Sequence, residues 1–496
     1  MSLRGRSAGL RASVGGAAVA AALASVPAAP VAGARSSSTS SSTPSGCNAS
    51  WPVVAHRSGG TVIKLPAGST MPVACAAPTG YATSESTLAV SGNGALIYSP
   101  AQTENSIARS VDGGASWSLT RPASEQPTAF WNTVDPDVIA DRRTGRLFWS
   151  HATGPVRNEG SLPDGSGFWL AAAYGFQVYT SVDNGSSWGT ADYSTAPTGD
   201  WEKVFVGPPP PASTGAAQPV GYPDVVYLCA NSPLEVSGPG RLCYKSLDGG
   251  ATFAIAGYTS PTASNPPDVC PPLNFNAGVV DRNGTTYQPV DCESSAYVVV
   301  SHDEGASYSW IPMSGAPTGT PVSGTNLKLA VDDADNLYAV WTANGLLYLA
   351  VSRDHAHSWS APKMVASPGV TNVDRPAIAA GAPGHIAITY YASKDPSAQM
   401  LTAYITQTAD ATDAQPLFYS GALNDPAHPI FHDYGLSDSP RADFVGGAFD
   451  SAGTRFWAGV VKQLGPPDSS GYIQTTGYVG TLRFASSTPV RRAVPR

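Results

Sequence analysis

The chain has 496 residues, of which 13% are charged, and it is rich in glycine (51) and proline (44). So few charges and so many turn-forming residues exclude a protein of long, ion-paired helices and favour short strands joined by tight turns. Acidic residues outnumber basic ones, the formal net charge is −8, and no basic run is present. This balance argues against nucleic acid or an anionic membrane surface as the partner.

The N-terminal residues have the pattern of an export signal. Arg4, Arg6 and Arg11 give a basic start, residues 14–28 are apolar, and residues 32–34 have the small-residue spacing of a cleavage site. The apolar run is too short and too rich in alanine and glycine for a membrane anchor, and no later segment is apolar enough to span a bilayer. The sequence therefore predicts a secreted, extracellular protein with a signal peptide at 1–34, a Ser/Thr-rich linker at 35–50, one large repeat-built domain at 51–486 and a C-terminal tail at 487–496.

Six cysteines in an exported chain predict disulfides, and none has the C-x-x-C spacing of a zinc or redox site. Pairing of sequence neighbours gives the bonds Cys47–Cys75, Cys229–Cys243 and Cys270–Cys292. Many other connectivities fit the same six residues, so the pairing stays open at this point.

A short pattern, Ser-x-Asp-x-Gly-x-Ser/Thr-aromatic, recurs five times, at residues 110–117, 181–188, 246–253, 301–308 and 352–359. In the fifth copy Ala356 stands where the others have glycine. An aspartate carboxylate accepts hydrogen bonds from the backbone that follows it, and glycine supplies the positive φ that closes a hairpin. The pattern predicts five tight turns between strands, called here the Ser-x-Asp turns, each with an aromatic ring wedged between neighbouring sheets.

Upstream of each turn lies a second unit, an inner strand followed by a turn and an apolar strand. Seven such units begin near Thr87, Asp135, Tyr222, Asn274, Leu327, Asp374 and Ser439, and the last two lack a recognisable Ser-x-Asp turn. They lie about 50 residues apart where no loop is inserted, which suits a four-stranded sheet repeated around an axis. We therefore expect an all-β β-propeller of four-stranded antiparallel blades, with seven blades favoured over six. Residues 53–64 are expected to complete the last blade.

The five turns resemble those of the Asp-box, or BNR-repeat, proteins of the sialidase superfamily, and the resemblance covers residues 87–484. It implies a propeller that acts on carbohydrate, with the turns on the face opposite the active site. The five turn aspartates are accordingly expected to be structural: Asp112, Asp183, Asp248, Asp303 and Asp354. Members of the superfamily include sialidases, other glycoside hydrolases, polysaccharide lyases and proteins without known catalysis.

The chemistry is expected where the inner strands begin, because their loops converge on the central axis. The catalytic candidates at these positions are Asp135, Asp137, Tyr222, Asp374 and Asp443, and the substrate-binding candidates are Arg375, Arg441, Asp224, Asn276 and Asn326. Such side chains recognise hydroxyls and carboxylates and perform acid–base work. The alternative is that they only cap strand ends and line a wet channel.

A sialidase needs three arginines, a tyrosine activated by a glutamate, and an aspartate. The resemblance assigns Arg375 and Arg441 to two of the arginines, with Arg57 or Arg157 as the third. Tyr222 or Tyr434 then serves as nucleophile with Glu202 or Glu293 as its partner, and Asp135 or Asp137 as acid–base. The family's Arg-Ile-Pro motif is absent from this sequence.

The leading hypothesis is a secreted, monomeric glycoside hydrolase, sialidase-like and exo-acting, with carbohydrate as its partner. A non-catalytic carbohydrate- or protein-binding propeller and a polysaccharide lyase are the alternatives. No cofactor and no metal are expected, because His355 and His357 lie in the fifth turn with no third ligand beside them.

Overall fold

The computed structural model describes the following residues: 49–83, 86–99, 106–122, 136–153, 157–159, 170–172, 175–189, 192–194, 200–232, 240–259, 276–292, 295–313, 327–432, 445–469 and 473–484. This part of the chain is all-β. It holds no α-helix, only two single-turn 3₁₀ helices at Ser58–Gly60 and Ala212–Thr214. None of its helices is long and apolar enough to cross a membrane. The predicted signal peptide and the C-terminal tail lie outside the described residues.

Strands β1 (Ala49–His56) and β2 (Val73–Pro78) precede a series of four-stranded antiparallel sheets. Sheet 1 has β3 (Thr87–Val90), β4 (Leu96–Ser99), β5 (Ile107–Ser110) and β6 (Ser118–Thr120). Sheet 2 has β7 (Asp137–Ala140), β8 (Leu147–Thr153), β11 (Gly175–Ser181) and β12 (Asp192–Ser194), and a separate hairpin of β9 (Arg157–Glu159) and β10 (Leu170–Ala172) is inserted in it. Sheet 3 has β13 (Asp200–Gly207), β14 (Val225–Ser232), β15 (Gly240–Ser246) and β16 (Ala254–Thr259).

Sheet 4 has β17 (Val279–Val280), β18 (Thr286–Cys292), β19 (Ser295–Ser301) and β20 (Ser309–Pro312), and sheet 5 has β21 (Lys328–Val331), β22 (Leu337–Ala343), β23 (Leu346–Ser352) and β24 (Lys363–Met364). Sheet 6 has β25 (Thr371–Ala380), β26 (Ile386–Ser393), β27 (Met400–Thr408) and β28 (Phe418–Ala422), with β29 (Phe431–His432) pairing to β27. Sheet 7 has β30 (Gly446–Phe449), β31 (Phe456–Gln463) and β32 (Thr475–Arg483), and β2 is its fourth strand.

The first strand of each sheet contacts the first strand of the next sheet, in the order β3, β7, β13, β17, β21, β25 and β30. Strand β30 also contacts β3, which closes the series. Because each sheet packs on neighbours at both of its faces, its central strands are apolar runs buried on both sides. Every residue of β22 is buried, as are all but the last of β26. This arrangement of sheets is consistent with the β-propeller expected from the sequence.

The five Ser-x-Asp turns form with the same hydrogen bonds, which confirms the turn chemistry expected from the sequence. In the first turn the Ser110 hydroxyl donates to Asp112 and accepts from the Gly114 amide, and the Ser116 amide and hydroxyl both donate to Asp112. The other four turns repeat these contacts. In the fifth turn Ala356 adopts the positive φ (69°) that glycine adopts in the others.

One turn escaped the sequence pattern. In sheet 6 the Thr408 hydroxyl donates to Asp410, as serine does to aspartate in the five turns, and Asp410 accepts from the Leu417 amide 2.9 Å away. A threonine in place of serine and a longer loop hid this turn from the pattern.

The N-terminal strands close the series differently from the expectation. Residues 53–64 were expected to complete the last sheet, but β2 does so, through antiparallel pairing of Val73–Pro78 with β32. Strand β1 joins two sheets: its first half pairs with β2, and its second half, from Val53 to His56, pairs with β28 of sheet 6. Because β1 and β2 are separated by a long segment, the sequence did not predict that β2 is the fourth strand of sheet 7.

The Cys229–Cys243 disulfide is present, as expected, and links directly opposed residues of β14 and β15. Cys75 is disulfide-bonded as well. Cys47 and Cys270 lie outside the described residues, so the two other pairings stay predictions.

Candidate functional site

A cavity of about 660 Å³ runs between the first strands of the sheets. Its middle is lined by apolar and small residues such as Ile139, Val206 and Ala379, whereas polar and charged residues line it where the first strands begin and where they end. We call the end at which the first strands begin the entry end, and the end at which they finish and turn the far end. The two polar regions are the candidate sites.

Four charged or amide residues line the cavity where the first strands begin: Asp137, Lys203, Asn276 and Lys328. Together with Glu202, Arg241, Asp374 and Arg375, which lie on sheets 3 and 6 outside this lining, they are called here the entry cluster. Five of them are nearly inaccessible to solvent: Glu202 and Arg241 are 0% exposed, Asn276 2%, and Asp137 and Lys203 6%. Burial of charged groups is costly unless they are paired, so a concentration of them marks a place where the chain keeps them for a purpose other than stability.

Backbone contacts hold the acidic members of the cluster on sheets 2 and 3. Asp137, the first residue of β7, accepts a hydrogen bond from the Val204 amide of β13 at 3.0 Å. The Lys203 ammonium donates to the carbonyl of Glu202 at 3.0 Å. The two carboxylates therefore lie on neighbouring first strands that are tied to each other.

Arg241, in β15, is a buried cation that interacts electrostatically with both carboxylates. Its guanidinium donates to the Cys229 carbonyl at 3.0 Å, beside the Cys229–Cys243 disulfide. Burial lowers the pKa of Arg241 to about 9, and the negative charges of Asp137 and Glu202 oppose this fall. The side chain thus remains a cation at neutral pH and interacts with both carboxylates.

Two first strands are irregular at the entry end. The register of β13 shifts between Asp200 and Lys203, where Trp201 has a φ of 58°. Strand β25 shifts on either side of Asp374, and Arg375 has a φ of 47°. A non-glycine residue in this left-handed region costs on the order of 1–3 kcal/mol, and such residues cluster at functional sites. The bulges redirect the side chains next to them, Glu202 and Arg375.

On sheet 6 the entry cluster contains an ion pair between adjacent residues. Arg375 contacts Asp374 through its guanidinium and through its backbone amide, each at 2.9 Å. The guanidinium also lies 5.3 Å from the centre of the Phe431 ring, which stacks on Tyr391. This pair is partly exposed, at 14% for Arg375 and 25% for Asp374, so both groups remain reachable by a ligand.

Asn276 and Lys328 meet on sheets 4 and 5. The Lys328 ammonium donates to the Asn276 carbonyl oxygen, and the Asn276 amide donates to the Leu327 carbonyl at 2.9 Å. Asp137, Asn276, Asp374 and Arg375 thus lie at the entry end, where the sequence placed them.

Tyr222 and Asp224 do not belong to the entry end. They precede β14, the second strand of sheet 3, and lie at the far end. The first strand of that sheet is β13, and a long loop that contains residues 208–211 separates it from Tyr222. The sequence interpretation took the second strand for the first because that loop broke the usual spacing.

The far end is held by a network around Asp141. The Tyr222 hydroxyl donates to this carboxylate at 2.5 Å, the Thr144 hydroxyl donates to the same oxygen, and the Arg143 amide donates to the other oxygen at 2.8 Å. Burial raises the pKa of Tyr222 above its ordinary value, and Asp141 raises it further. A tyrosine held protonated in this way is a hydrogen-bond donor to Asp141.

Asp224 interacts with this network through Arg143 and Asp141. The Arg143 guanidinium contacts both of its oxygens. Burial raises the pKa of Asp224 to about 6; Arg143 lowers it, and the nearby Asp141 carboxylate raises it. Two carboxylates from sheets 2 and 3 are thus held together by an arginine, a tyrosine and a threonine.

Further sheets repeat this construction. Tyr287 donates to Asp281 at 2.9 Å and Tyr338 to Asp332 at 2.7 Å. Arg142 reaches from sheet 2 to Asp333 of sheet 5, and Arg282 of sheet 4 contacts Asp335 at 2.9 Å. These carboxylates of the far end therefore each accept from a tyrosine or pair with an arginine.

The remaining predicted residues divide into two groups. Asp135, Asn326, Arg441 and Asp443 lie outside the described residues, as do Tyr434 and Glu293, and for Arg157 only the backbone is described. Arg57 follows β1 at the outer edge of sheet 6, where its guanidinium contacts the Gln415 carbonyl, so it cannot serve as a third arginine of the cavity.

Sequence reasoning missed Lys203 and Arg241. Lys203 lies in an apolar strand, Trp-Glu-Lys-Val-Phe-Val, where two adjacent charges are themselves an unusual signal. Arg241 stands alone before the third Ser-x-Asp turn, and only the fold brings it into electrostatic interaction with the carboxylates. Among the described residues no group of three or more His, Cys, Asp or Glu side chains is placed to hold a metal ion.

Comparison with known proteins gives distant similarities. No protein-family model and no curated protein matches the chain. Among solved structures it is similar to the Hadza microbial sialidase Hz136, with 14% identity and a TM-score of 0.40 over 77% of this chain and 73% of that one. It is similar to the NanB sialidase from Streptococcus pneumoniae, with 11% identity and a TM-score of 0.39 over 82% and 70%. It is also similar to YCF48 from Cyanidioschyzon merolae, with 12% identity and a TM-score of 0.41 over 82% and 98%.

Proposed function

We propose that this protein is a glycoside hydrolase whose active site is the entry end of the central cavity. The observation that carries the proposal is the burial of Asp137 and Glu202 on neighbouring first strands, both in electrostatic interaction with the buried Arg241. Glycoside hydrolysis needs two carboxyl groups flanking the scissile bond, one to protonate the leaving oxygen and one to stabilise or trap the cationic sugar. The partly exposed Asp374 and Arg375 would orient the sugar across the cavity.

Several features support the assignment of this end over the other. The bulges at Trp201 and Arg375 place strained backbone beside the charged groups, and at the far end Asp335 also has a positive φ of 64°. At the far end Asp141, Asp281 and Asp332 each accept a hydrogen bond from a tyrosine. A substrate there would have to displace these donors.

The sharpest test compares carboxylates of the two ends. In an assay against a panel of aryl glycosides that includes sialosides, arabinosides and uronides, Glu202→Gln and Asp137→Asn should each lower kcat/KM by about 10²–10⁴-fold. Asp333→Asn, at the far end, should leave it unchanged. If both entry-end variants retain the wild-type rate, the site is elsewhere. Glycan binding by the wild type without any turnover would favour the non-catalytic carbohydrate-binding alternative.

We further propose that the sheets form a seven-bladed propeller. The cyclic contact of the first strands, from β3 through β30 and back to β3, supports this blade number over six. A crystal or cryo-electron microscopy structure viewed along the cavity axis would count the blades directly, and a six-bladed ring would overturn the proposal.

Export from the cell is proposed as well. The Cys229–Cys243 disulfide supports it, because such bonds persist in oxidising compartments and are rare in reducing ones. Fractionation of the producing cells, with sequencing of the N-terminus of the exported form, tests this: a mature chain that starts near Arg35 is the expected result, and recovery from the reducing compartment alone would contradict it.

A further inference from the structure

His56 ends the half of β1 that pairs with sheet 6, and it is fully buried there. Its side chain is 0% exposed and stacks on Phe418, the residue opposite it in β28, with ring centres 5.6 Å apart. Because β1 is also paired with β2 of sheet 7, this histidine lies where the N-terminal segment joins the last two sheets.

Both ring nitrogens of His56 belong to a buried chain of hydrogen bonds. Nδ1 is 3.0 Å from the Arg57 carbonyl, and Nε2 is 2.7 Å from the Ser420 hydroxyl. The chain continues from Ser420 to the Thr406 hydroxyl at 2.6 Å and from Thr406 to the Tyr390 hydroxyl at 3.0 Å. It ends where the Ser367 amide donates to the Tyr390 hydroxyl at 2.8 Å.

The two ends of this chain fix the direction of every bond in it. The Arg57 carbonyl only accepts, so His56 carries a proton on Nδ1. The Ser367 amide only donates, so the Tyr390 hydroxyl accepts there, and its own O–H donates a hydrogen bond to the Thr406 hydroxyl. Thr406 then donates to Ser420, and Ser420 donates to Nε2 of His56. With His56 neutral, every donor in this series of hydrogen bonds has an acceptor, and Nε2 must be an acceptor.

A second proton on His56 has no place in this arrangement. If the Ser420 O–H kept its direction, two donors would face each other between Nε2 and Ser420. If Ser420 accepted from Nε2 instead, every hydrogen bond in the series would reverse, and the Tyr390 O–H would be left without an acceptor. Burial lowers the pKa of His56 below its ordinary value, and the hydrogen bond to the Arg57 carbonyl opposes this in part.

The charged groups around His56 offer no compensation. Strands β1, β26, β27 and β28 contain no Asp, Glu, Lys or Arg, and their titratable side chains besides His56 are tyrosines. Next to these strands, Arg57 contacts the Gln415 carbonyl. Lys363 contacts the Asp413 and Ala414 carbonyls. Asp410 accepts hydrogen bonds from Thr408 and Leu417. The closest cation, Arg57, opposes an imidazolium.

We propose that His56 is an acid-sensitive latch, in which protonation of Nε2 releases the N-terminal strand β1 from sheet 6. A group whose folded-state pKa is depressed stabilises the fold above its unfolded pKa, and this stabilisation is lost as the pH falls. For His56 the loss begins near its ordinary value of about 6.5 and grows toward lower pH. The opening is local to the β1–β28 pairing and leaves the pairing of β2 with β32 in place.

Hydrogen–deuterium exchange of residues 53–56, the half of β1 that pairs with β28, tests the latch after correction for the intrinsic pH dependence of exchange. Between pH 7.5 and pH 5.0 the protection of this segment should fall by at least about tenfold in the wild type. His56→Gln, which keeps one donor and one acceptor but does not titrate, should remove the pH dependence. His428→Gln, a control at an exposed histidine paired with Asp425, should behave as the wild type. A protection that is the same at both pH values, or a His56→Gln variant that keeps the change, would overturn the proposal.

If His56→Gln does not fold, the wild type alone decides the matter. The ¹⁵N chemical shifts of the imidazole should show a neutral ring with its proton on Nδ1 at pH 7. A ring with its proton on Nε2, or one that stays charged at that pH, contradicts the directed chain of hydrogen bonds.

Discussion

The two ends of the central cavity are built from the same kinds of residue but use them in opposite ways. At the far end each described carboxylate is matched, as Asp141 is by Tyr222, Thr144 and the Arg143 amide. At the entry end the carboxylates are buried beside bulged strands, and the backbone at Trp201 and Arg375 is strained. Both ends bury carboxylates, and both contain non-glycine residues at positive φ, Asp335 at the far end and Trp201 and Arg375 at the entry end. The comparison teaches that neither the charge nor the burial of an end identifies a site, so variants at both ends are needed to assign it.

Asp141→Ala should have the largest effect on stability. It removes the acceptor for three donors at once, and buried donors left without a partner are costly, so we expect a loss on the order of 3 kcal/mol in the free energy of unfolding. Urea denaturation measures it. Ligand affinity at the entry end should not change, and a variant that loses ligand binding while keeping its stability would reverse the roles of the two ends.

Gly185→Ala, in the second Ser-x-Asp turn, should cost about 2–3 kcal/mol. The glycine has a φ of 76°, and an added Cβ would lie 2.5 Å from Cδ1 of Ile97 in sheet 1. Left-handed backbone and overpacking both contribute to the loss.

A control for this variant is Gly94→Ala, whose φ is 86° and whose added Cβ meets nothing within 4 Å. It should cost only the backbone term of about 1 kcal/mol. Thermal unfolding of Gly185→Ala and Gly94→Ala measures the difference between their losses of stability. Equal losses would show that the second Ser-x-Asp turn does not pack tightly against sheet 1.

The third and smallest effect is a pH dependence from the far end. Because Asp224 has its pKa raised to about 6 in the folded state, it binds a proton more tightly folded than unfolded. Its contribution to stability is full below the ordinary aspartate value and is lost as the pH rises through about 6. Between pH 4 and pH 7 the wild type should therefore lose about 1–2 kcal/mol relative to Asp224→Asn, measured by denaturation at each pH. A constant difference would mean that the two carboxylates do not interact.

The sequence predicted what is local. Each Ser-x-Asp turn is closed by contacts between residues at most four apart, so Asp112 and its four counterparts could be assigned from the pattern alone. Asp137, Asn276, Asp374 and Arg375 were placed at the entry end because each begins or nearly begins a first strand.

What the sequence missed depends on contacts between distant segments. The loop before Tyr222 displaced the apparent start of sheet 3, so the sequence placed Tyr222 and Asp224 at the entry end and missed Lys203. It named Glu202 only as a possible partner of a tyrosine nucleophile. Arg241 carries no local signal, since its importance comes from burial between strands that are far apart in sequence. The positive φ of Trp201 is likewise a property of the bulge and not of the residue type.

The pairing of β2 with β32 joins Val73 to Arg483 and so spans nearly the whole domain. During synthesis β2 leaves the ribosome long before its partner exists, and the last sheet stays incomplete until the final strand has been made. Contacts between such distant segments slow folding, and an unpaired strand edge invites association with other chains in the meantime. We therefore expect removal of β32 to yield aggregation rather than a smaller folded protein.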